Sequence, residues 1–545
     1  MVEKIRYFLK LYNVPFFLLL GIGLYIISTP LSDLLCHLQH LPEQSLFHSI
    51  YNIVIPIGLL ALWSLLFLTT IRDKTYFHKT GRKYAYDSSH YKRSYSELVT
   101  YFQDADPLKM NVADLPTMKW QESCGLVLGK LGDKLISYEP QAGSGGIVAM
   151  IWGAPGVGKT TSNVITSART FGRWQNVDGK WIQRGACMIL DLKGDIYEAN
   201  KNYRKIKRFS IIHWKESAHY DPLHNARKMS VNDRAIFLEN LAFTIIPAEE
   251  SADSKYFIDG ARDLFTGISV YLLNQNKTIS FPEIIRQIVT GNYSKWVIEI
   301  MHSTDIIAQS YTNHFYGENE KNVSGCYSKL VSCSRLFSTE IMQILLTNDE
   351  NCISPQDLES GIDVYVQLDP NEMSLYACVV SMLFDAFMSA MLYRNIGQEP
   401  PVAFIIDEFG QLPAMPVLSK SAALLRAYNC SLMLSCQSLS MITAKYGNAG
   451  MKLLMDCTKA HCFLSIYDPD TRDWASRLIG TKKCLKVSNS LQTQKEDSSG
   501  SISVSESREK IIEPELFGNL PNEDAVIIYY KGRYIKAEKT YYFKE

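Results

Sequence analysis

The sequence has no excess of charge of either sign. Lys and Arg together number 56, as do Asp and Glu, so the formal net charge is zero at pH 7. This balance excludes a protein that coats a polyanion through a global positive field. Any grip on nucleic acid must come from a local patch or from a ring of subunits.

The sequence also lacks zinc-ligand spacing and a disulfide pattern. The 12 cysteines run from Cys36 to Cys484 without a C-x-x-C pair or a His partner at zinc spacing. This usage is typical of reduced cytoplasmic thiols, and we expect no structural zinc. We find no repeat at the period of a solenoid or a propeller, and no acidic or coiled-coil tail closes the chain.

Two long apolar runs lie near the start of the chain. Residues 11–32 and 53–71 contain no charged side chain, and each run is long enough to cross a bilayer as a helix. Lys and Arg flank the pair on both outer sides, whereas the connecting residues 33–52 contain neither. The positive-inside rule therefore predicts a transmembrane hairpin with both termini in the cytoplasm. A cleaved signal peptide followed by a buried helix is the disfavoured alternative, because no A-x-A-like site follows the first run.

One motif carries specific chemistry. Residues 153–160 fit G-x-x-x-x-G-K-[ST] and follow a strand-like apolar run at 147–152. Such glycines let backbone N–H groups converge on phosphates, the lysine reaches the β- and γ-oxygens, and the hydroxyl holds Mg²⁺. The motif predicts a nucleoside triphosphate site. The predicted binding residues are Gly153, Ala154, Pro155, Gly156, Val157, Gly158, Lys159, Thr160 and Thr161.

A pair of carboxylates follows another apolar run. Val402–Ile406 ends in Asp407-Glu408, the pattern that P-loop ATPases place opposite the phosphate loop. We expect Asp407 to share the Mg²⁺ shell with Thr160, and Glu408 to orient or activate the attacking water. Asp191 is the competing candidate at the end of the run 186–190, and it is favoured less because no glutamate follows it.

Two further residues complete the predicted catalytic set with Lys159 and Glu408. Gln437 follows the strand-like run 431–436 and is expected to sense the γ-phosphate. Arg426 lies near the end of a predicted helix over 415–428. It either caps that helix through its dipole and last carbonyls or reaches the nucleotide of a neighbouring subunit as an arginine finger.

The periodicity of the cytoplasmic part changes along the chain. Alternation at 125–135 predicts a short hairpin, and strand signals recur at 362–368, 402–406, 431–435 and 525–530. Between them, from about 229 to 346, apolar residues such as Phe257, Ala261 and Leu264 recur at helical steps. An all-α domain inserted into a nucleotide-binding α/β fold is therefore predicted.

Two polar segments receive plainer interpretations. Residues 488–507 are rich in Ser, Gln and Glu, which predicts a solvated, mobile loop. A basic cluster is interpreted as a solvated edge rather than as a set of contacts to DNA. Its members are Lys201, Arg204, Lys205, Lys207 and Arg208.

An ordered set of motifs resembles TraG/TraD-type coupling proteins of type IV secretion. Asp407-Glu-Phe-Gly-Gln-Leu-Pro413, Leu424-Leu-Arg426 and Gln437-Ser-Leu439 carry the resemblance in the second half. Upstream, Asp191-Leu-Lys-Gly-Asp195 and Tyr220-Asp-Pro-Leu223 are similar to that family's strand end and its entry to the helical domain. The departures are Asp195 and Asp221, where Glu and Asn are common in the family, and the lack of a C-terminal extension.

The resemblance implies a membrane-anchored, homo-hexameric ATPase of the bacterial inner membrane that uses ATP and Mg²⁺. Such proteins bring a relaxase on single-stranded DNA, or effector proteins, to the channel of a type IV secretion system, and are thought to drive translocation by hydrolysis. The implied fold is a RecA-like P-loop NTPase domain with an inserted all-α domain, preceded by the transmembrane hairpin. The predicted division is 1–73 for the hairpin, 74–228 for the juxtamembrane segment and first part of the RecA-like domain, 229–348 for the all-α domain and 349–545 for the second part.

Two other functions stay open at this point. An FtsK-type DNA translocase also joins membrane spans to a RecA-like motor, and the predicted helical insertion disfavours it. A docking receptor that does not hydrolyse nucleotide is disfavoured because Lys159, Thr160, Glu408 and Gln437 are all present. An ABC exporter ATPase is disfavoured because no LSGGQ-like signature precedes Asp407.

Overall fold

A computed structural model describes residues 53–64, 117–140, 145–175, 178, 180–247, 252–396, 399–412, 415–491, 500–520 and 524–544, together with isolated positions before residue 53. The chain divides into two compact units. One comprises Leu108–Ile479 and Ile512–Glu545, and the other comprises Met1–Pro107 and Gly480–Ile511.

The strands of the described residues fall into one large sheet and two small ones. In chain order they are β1 Thr117–Met118, β2 Leu126–Leu131, β3 Lys134–Tyr138, β4 Val148–Trp152, β5 Arg173–Gln175, β6 Trp181–Gln183, β7 Ala186–Leu190, β8 Ile206–Ser210, β9 Asp363–Gln367, β10 Val402–Ile406, β11 Cys430–Cys436, β12 Ala460–Phe463, β13 Thr481–Leu491, β14 Gly500–Lys510, β15 Ala525–Tyr530 and β16 Arg533–Glu538.

Helices connect most of these strands. In chain order the α-helices are α1 Ile53–Ser64, α2 Ile165–Thr170, α3 Asp195–Asn200, α4 Val231–Ile245, α5 Ala252–Gln275, α6 Phe281–Thr290, α7 Tyr293–Met301, α8 Ile306–Thr312, α9 Glu320–Ser334, α10 Glu340–Leu345, α11 Pro355–Glu359, α12 Met373–Met391, α13 Pro416–Leu425, α14 Leu439–Cys457, α15 Pro469–Ile479 and α16 Pro514–Gly518.

Twelve of the described strands form the large sheet, in the order β1-β3-β2-β16-β15-β12-β4-β11-β10-β7-β9-β8. The half from β12 to β8 is parallel, and the half from β15 to β1 is antiparallel. The central strands β4, β7, β10 and β11 are buried along their whole length. Continuous apolar strands of this kind are expected where helices cover both faces of a parallel sheet.

The antiparallel half contains two tight hairpins. The predicted hairpin at 125–135 is confirmed as β2 and β3. The connection of β15 to β16 is the two-residue turn Lys531-Gly532, where both residues have positive φ, 47° and 85°. A turn with positive φ at both positions matches the twist of the strands that it joins.

Between β8 and β9 the described chain is helical. Helices α4 to α11 occupy this stretch, and α5 packs against α4, α8 and α9. Its inward residues Ala261, Leu264 and Ile268 are fully buried, which explains the helical periodicity of the sequence. The exact division of the chain at residues 229 and 348 stays a prediction.

The other unit contains a long hairpin that the sequence reading missed. β13 and β14 pair in an antiparallel register from Thr481–Lys510 to Leu491–Gly500, so the prediction of a mobile loop over 488–507 is wrong for the paired residues. The small number of large apolar residues argued against a packed core. A shortage of apolar side chains does not prevent two strands from pairing, because the backbone N–H and C=O groups of an antiparallel ladder bond to each other.

The predicted membrane spans lie largely outside the described residues. The first, 11–32, is described only at isolated positions, and of the second, 53–71, the structure describes the apolar helix α1. Within the described part of the chain, the helical segment Pro370–Met391 has the length and hydropathy of a span, but 61% of its most apolar window is buried inside the protein. It is a core helix of the α/β unit.

Candidate functional site

The glycine-rich loop connects β4 to a helical segment that opens with a π-helical turn, Thr160–Val164, and continues as α2. The loop is anchored on both neighbouring strands. Gly153 N–H donates to the carbonyl of Cys436 over 3.2 Å, and Ala154 N–H donates to the carbonyl of Ser465 over 2.8 Å. Gly156 and Gly158 have φ of 77° and 91°, a region that glycine enters without steric cost. The loop can therefore turn its N–H groups inward.

Lys159 lies inside this loop. Its Nζ donates to the carbonyls of Gly153 and Ala154 over 2.8 Å and 3.1 Å, and the residue is only 5% exposed. Burial lowers the pKa of Lys159, while the carboxylates of Glu408 and Asp407 partly offset that effect. The ammonium of Lys159 thus lies at the loop. It donates to two carbonyls here, and phosphate oxygens would take their place as acceptors.

Thr160 and Asp407 are in contact, and their predicted role in holding Mg²⁺ stays a prediction. The hydroxyl of Thr160 donates to Oδ2 of Asp407 over 2.6 Å. Burial raises the pKa of Asp407, the hydrogen bond from Thr160 opposes the rise, and the neighbouring Glu408 carboxylate adds to it. Oδ1 of Asp407 is buried and has no hydrogen-bond partner among the described residues. A hydroxyl and a partly unpartnered carboxylate are hard oxygen ligands of the kind that Mg²⁺ prefers, so these residues fit that cation.

No group of three or more His, Cys, Asp and Glu that could hold a metal occurs in the described part of the chain. A cation at Thr160 and Asp407 would therefore need ligands from water and from a substrate. Mg²⁺ is bound in this way in nucleotide sites, through one or two carboxylates together with phosphates.

Glu408 and Gln437 form a second polar pair at the same edge of the sheet. Gln437 follows β11, which lies between the strands that carry the loop and Asp407, and its Nε2 donates to Oε2 of Glu408 over 3.0 Å. Gln411 Nε2 lies 3.4 Å from the same oxygen. Glu408 has φ 55° and ψ 39°, a left-handed conformation that is costly for a residue with a Cβ. Local strain of this kind is common where a side chain must point into a site.

Arg426 lies away from this cluster within the same chain. It begins a short 3₁₀ turn after α13, and its Nε donates to the carbonyl of Gly146 over 3.3 Å. Gly146 N–H donates in return to the carbonyl of Arg426 over 2.8 Å. Gly146 precedes β4, whereas the glycine-rich loop follows it, so Arg426 sits at the opposite edge of the sheet. Its role towards a neighbouring subunit stays a prediction.

The carboxylate of Asp191 is engaged in hydrogen bonds within the fold. Its Oδ2 accepts hydrogen bonds from Tyr197 N–H over 2.8 Å and from Gln367 Nε2 over 3.2 Å, and Oδ1 accepts from Ile196 N–H over 3.3 Å. Burial raises the pKa of Asp191 and these hydrogen bonds oppose the rise. Because its oxygens are engaged with the first turn of α3, the side chain caps that helix.

The basic cluster at 201–208 is only partly a solvated edge. Arg204 is buried and forms a two-pronged ion pair with Asp363, with its Nη2 2.8 Å from Oδ1. The same guanidinium donates from Nη1 to the carbonyl of Phe171 over 2.6 Å. The prediction of a solvated edge is therefore wrong for Arg204, because a carboxylate from β9, distant in sequence, pairs with it in the interior.

The end of the chain contributes contacts that sequence reasoning missed. The Thr166 hydroxyl on α2 donates to the carbonyl of Thr540 over 3.1 Å, and Tyr542 N–H donates to the carbonyl of Thr161 over 3.4 Å. Arg169 Nη1 lies 3.4 Å from the carbonyl of Tyr542. The only sequence signal for this contact is the run of aromatic residues at 541–543.

Fold and site together define the class of the protein. The loop strand and the strand that carries the carboxylates are separated by the single strand β11, and all three present their polar residues at the carboxyl edge of a parallel sheet. This is the RecA-like α/β fold of P-loop NTPases.

The comparison with protein families is more specific. Residues 120–545 match the model of the family described as type IV secretory system conjugative DNA transfer. The chain belongs to this family, and the resemblance to TraG/TraD-type coupling proteins is confirmed.

Individual relatives are distant in sequence. Protein VirD4 of Rhizobium radiobacter is 23% identical over 373 residues, which cover 66% of this chain and 54% of the relative. The conjugal transfer protein TraG of Agrobacterium fabrum is 22% identical over 291 residues, covering 52% and 44%. The chain thus spans about half the length of the curated relatives it matches.

Solved structures agree in fold. The conjugative coupling protein TrwBΔN70 in its unbound form superposes with a TM-score of 0.58 at 14% identity, covering 77% of this chain and 89% of that one. The plasmid coupling protein TrwB in complex with ADP and Mg²⁺ superposes with a TM-score of 0.55 at 14% identity, covering 72% and 85%. At this identity the likeness shows the fold, and it bears out the RecA-like part of the predicted architecture.

Proposed function

We propose that the protein is the ATPase that couples transfer substrates to a type IV secretion channel. The observation that carries the proposal is the meeting of Lys159, Thr160, Asp407, Glu408 and Gln437 at the edge of one sheet, in a chain that belongs to the conjugative DNA transfer family. A site of this composition is suited to hydrolysis as well as to binding, since it has a carboxylate beyond the one that fits Mg²⁺.

The nucleotide is ATP with Mg²⁺, which is supported by the complexes of TrwB with ADP and Mg²⁺ and with the non-hydrolysable ATP analogue ADPNP. On binding, Lys159 exchanges the carbonyls of Gly153 and Ala154 for β- and γ-phosphate oxygens, and the loop N–H groups complete the cradle. Thr160 and Asp407, which are joined here by a hydrogen bond, would hold the cation through their oxygens, and the cation would neutralise charge on the phosphates.

Glu408 acts on the attacking water. Its strained backbone aims the carboxylate into the site, and the amide of Gln437 holds one carboxylate oxygen. The other oxygen remains to accept a proton from water in line with the γ-phosphate. Gln437 joins the two strand ends, so a change in its contact to the γ-phosphate reports the state of the nucleotide to β11 and the helix that follows it.

The working assembly is a homo-hexamer anchored in the bacterial inner membrane, with a transmembrane hairpin in residues 1–73 and the RecA-like and all-α domains in the cytoplasm. Because the chain has no net charge, one subunit alone attracts single-stranded DNA weakly. A ring of subunits would repeat the same local contacts around the strand. In the ring, Arg426 leaves the carbonyl of Gly146 to stabilise charge on the nucleotide of the next subunit. Mixing inactive R426A and K159A subunits tests this step, since a trans role predicts partial recovery of hydrolysis.

The proposed cargo is a relaxase on single-stranded DNA, effector proteins, or both, delivered to inner-membrane components of the channel. The conjugal transfer protein TraG and the conjugative coupling protein TrwB support a role in conjugative transfer. The helical stretch between β8 and β9 matches the inserted all-α domain expected of a coupling protein, and we therefore favour this function over an FtsK-type translocase.

The test is hydrolysis by the full-length chain in detergent or nanodiscs, with and without single-stranded DNA, combined with substrate transfer in cells. We expect K159A and E408Q to abolish both, with E408Q still binding ATP, whereas K321A, which removes an exposed lysine of α9, leaves both unchanged. Undiminished turnover in K159A and E408Q would exclude an ATPase at this site. Nucleotide binding without any turnover in the wild type, combined with full transfer, would instead indicate a docking receptor.

A further inference from the structure

An aromatic ring lies against the glycine-rich loop. A methyl group added at Gly158 would be 3.6 Å from Cε1 of Tyr541. Three hydrogen bonds described above hold the backbone on either side of Tyr541 against the helix that follows the loop. Tyr542 N–H donates to the carbonyl of Thr161, while Thr166 and Arg169 donate to the carbonyls of Thr540 and Tyr542. The ring is thus held beside the part of the loop where bound phosphates would lie.

Tyr541 belongs to a small aromatic cluster that solvent reaches. Its ring stacks on that of Phe543 with centroids 5.2 Å apart and an interplanar angle of 27°. Phe543 is 61% exposed. The ammonium of Lys544 lies 4.7 Å from the centroid of Tyr541 on a side chain that is 57% exposed. The same ammonium lies 4.0 Å from Oδ2 of Asp524. A base can displace it from the ring of Tyr541, because an exposed cation–π contact contributes little.

The sheet order indicates which end of a nucleotide would approach this ring. The residues suited to the γ-phosphate and Mg²⁺, namely Asp407, Glu408 and Gln437, follow β10 and β11 on one side of β4. Tyr541 follows β16, which lies on the other side of β4 beyond β12 and β15. A triphosphate with its γ end towards Asp407 therefore directs its nucleoside towards the side of the sheet from which Tyr541 comes.

We propose that Tyr541, supported by Phe543, is the stacking platform for the nucleobase of the bound nucleotide. This inference rests on the nucleotide site proposed above and adds a residue for the base. Stacking on an aromatic ring does not distinguish bases, since each has a π-face. The platform therefore predicts similar affinity for ATP, GTP and CTP.

The experiment compares ligands with and without a base. Binding of ATP, GTP, CTP and inorganic tripolyphosphate to the full-length protein is measured by competition with a fluorescent nucleotide in the presence of Mg²⁺. We expect Y541A to weaken binding of all three nucleotides roughly tenfold and to leave binding of tripolyphosphate unchanged, since only the nucleotides have a base to stack on the ring. Y541F and Y541W should retain wild-type affinity, and the emission of 2-aminopurine riboside triphosphate should be quenched by the wild type and not by Y541A.

Two results would overturn the inference while leaving the nucleotide site intact. Unchanged nucleotide affinity in Y541A would place the base elsewhere. An equal loss for tripolyphosphate and ATP would show that Tyr541 only supports the shape of the loop, and Y541L, which keeps an apolar side chain there, should then restore both. K159A provides the separate test of the site itself, because it must weaken ATP and tripolyphosphate alike. If it weakens neither, the proposed nucleotide site fails.

Discussion

Gln437 donates a hydrogen bond to Glu408 over 3.0 Å, and this contact joins the ends of two adjacent parallel strands. Glu408 is the residue in the left-handed conformation, so its carboxylate is held both by backbone strain and by the amide of Gln437. Because a strained backbone and a hydrogen bond both constrain Glu408, we expect the direction of its carboxylate to matter for function.

Replacing Gln437 by Ala should slow hydrolysis more than it weakens binding. The variant leaves Glu408 with the longer contact to Gln411, so the carboxylate samples unproductive directions, and we expect kcat to fall roughly tenfold or more. Steady-state hydrolysis and ATP affinity, measured on the same preparation, separate the two effects.

Gln411 provides the matched control for that experiment. Its amide lies 3.4 Å from the same oxygen of Glu408, a distance at which a hydrogen bond is weak, and Q411A should change kcat by less than about threefold. Equal losses of kcat in Q411A and Q437A would instead show that the shorter contact from Gln437 has no special role in orienting Glu408.

The two candidate aspartates should respond differently to substitution by Asn. D407N removes a charged ligand next to Thr160 and should raise the Mg²⁺ concentration for half-maximal hydrolysis by about tenfold or more. D191N weakens a helix cap and should lower the free energy of unfolding by about 1 kcal/mol without changing the Mg²⁺ requirement. Mg²⁺ titrations and urea unfolding of both variants provide the comparison. A shifted Mg²⁺ dependence in D191N alone would reverse the assignment.

Sequence could predict the strands and the residues at their ends, because buried parallel strands are continuous apolar runs and the polar residue after each run stands out. The loop, Asp407 and Gln437 all follow that rule. It also suggested the helical stretch between β8 and β9, since the buried stripe of α5 repeats at helical steps.

Contacts between distant segments could not be predicted in this way. The sequence around 201–208 does not distinguish Arg204 from the other basic residues of the cluster. Only the fold shows that Asp363 pairs with it. The contact between the segment around Tyr541 and α2 depends on where the antiparallel strands β15 and β16 lie in the sheet. No local sequence pattern specifies that position. The sequence did not predict the hairpin of β13 and β14, because backbone hydrogen bonds join these strands and such bonds leave no pattern in the side chains.

Acid should destabilise the fold through His461. The imidazole is 2% exposed, its Nδ1 accepts a hydrogen bond from Trp152 Nε1 over 3.1 Å, and burial lowers its pKa to about 3. Between that value and the ordinary pKa of about 6.5, the unfolded chain binds a proton that the folded chain does not, so stability falls as pH falls. We expect His461 to contribute a loss of about 2 kcal/mol between pH 7.5 and pH 5.

The variant H461Q isolates this contribution from those of other titrating groups. Glutamine retains an acceptor for Trp152 and cannot be protonated in this range. Urea unfolding of both proteins at pH 7.5 and pH 5 should therefore show a smaller acid loss in H461Q. Equal losses would mean that His461 is protonated in the folded state as well.

Among the ion pairs of the basic cluster, the pair of Arg204 and Asp363 should contribute most to the free energy of unfolding. Both side chains are almost completely buried, at 2% and 0% exposure, and the guanidinium also donates to the carbonyl of Phe171. D363N leaves a buried cation without its charge partner, which should cost about 3–5 kcal/mol in the free energy of unfolding. K201A is the control, because Lys201 and Glu198 form an exposed pair at 42% and 59% exposure whose loss should cost less than about 0.5 kcal/mol. Chemical denaturation distinguishes the two, and a small effect in D363N would mean that water reaches Arg204 and that the cluster is a solvated edge after all.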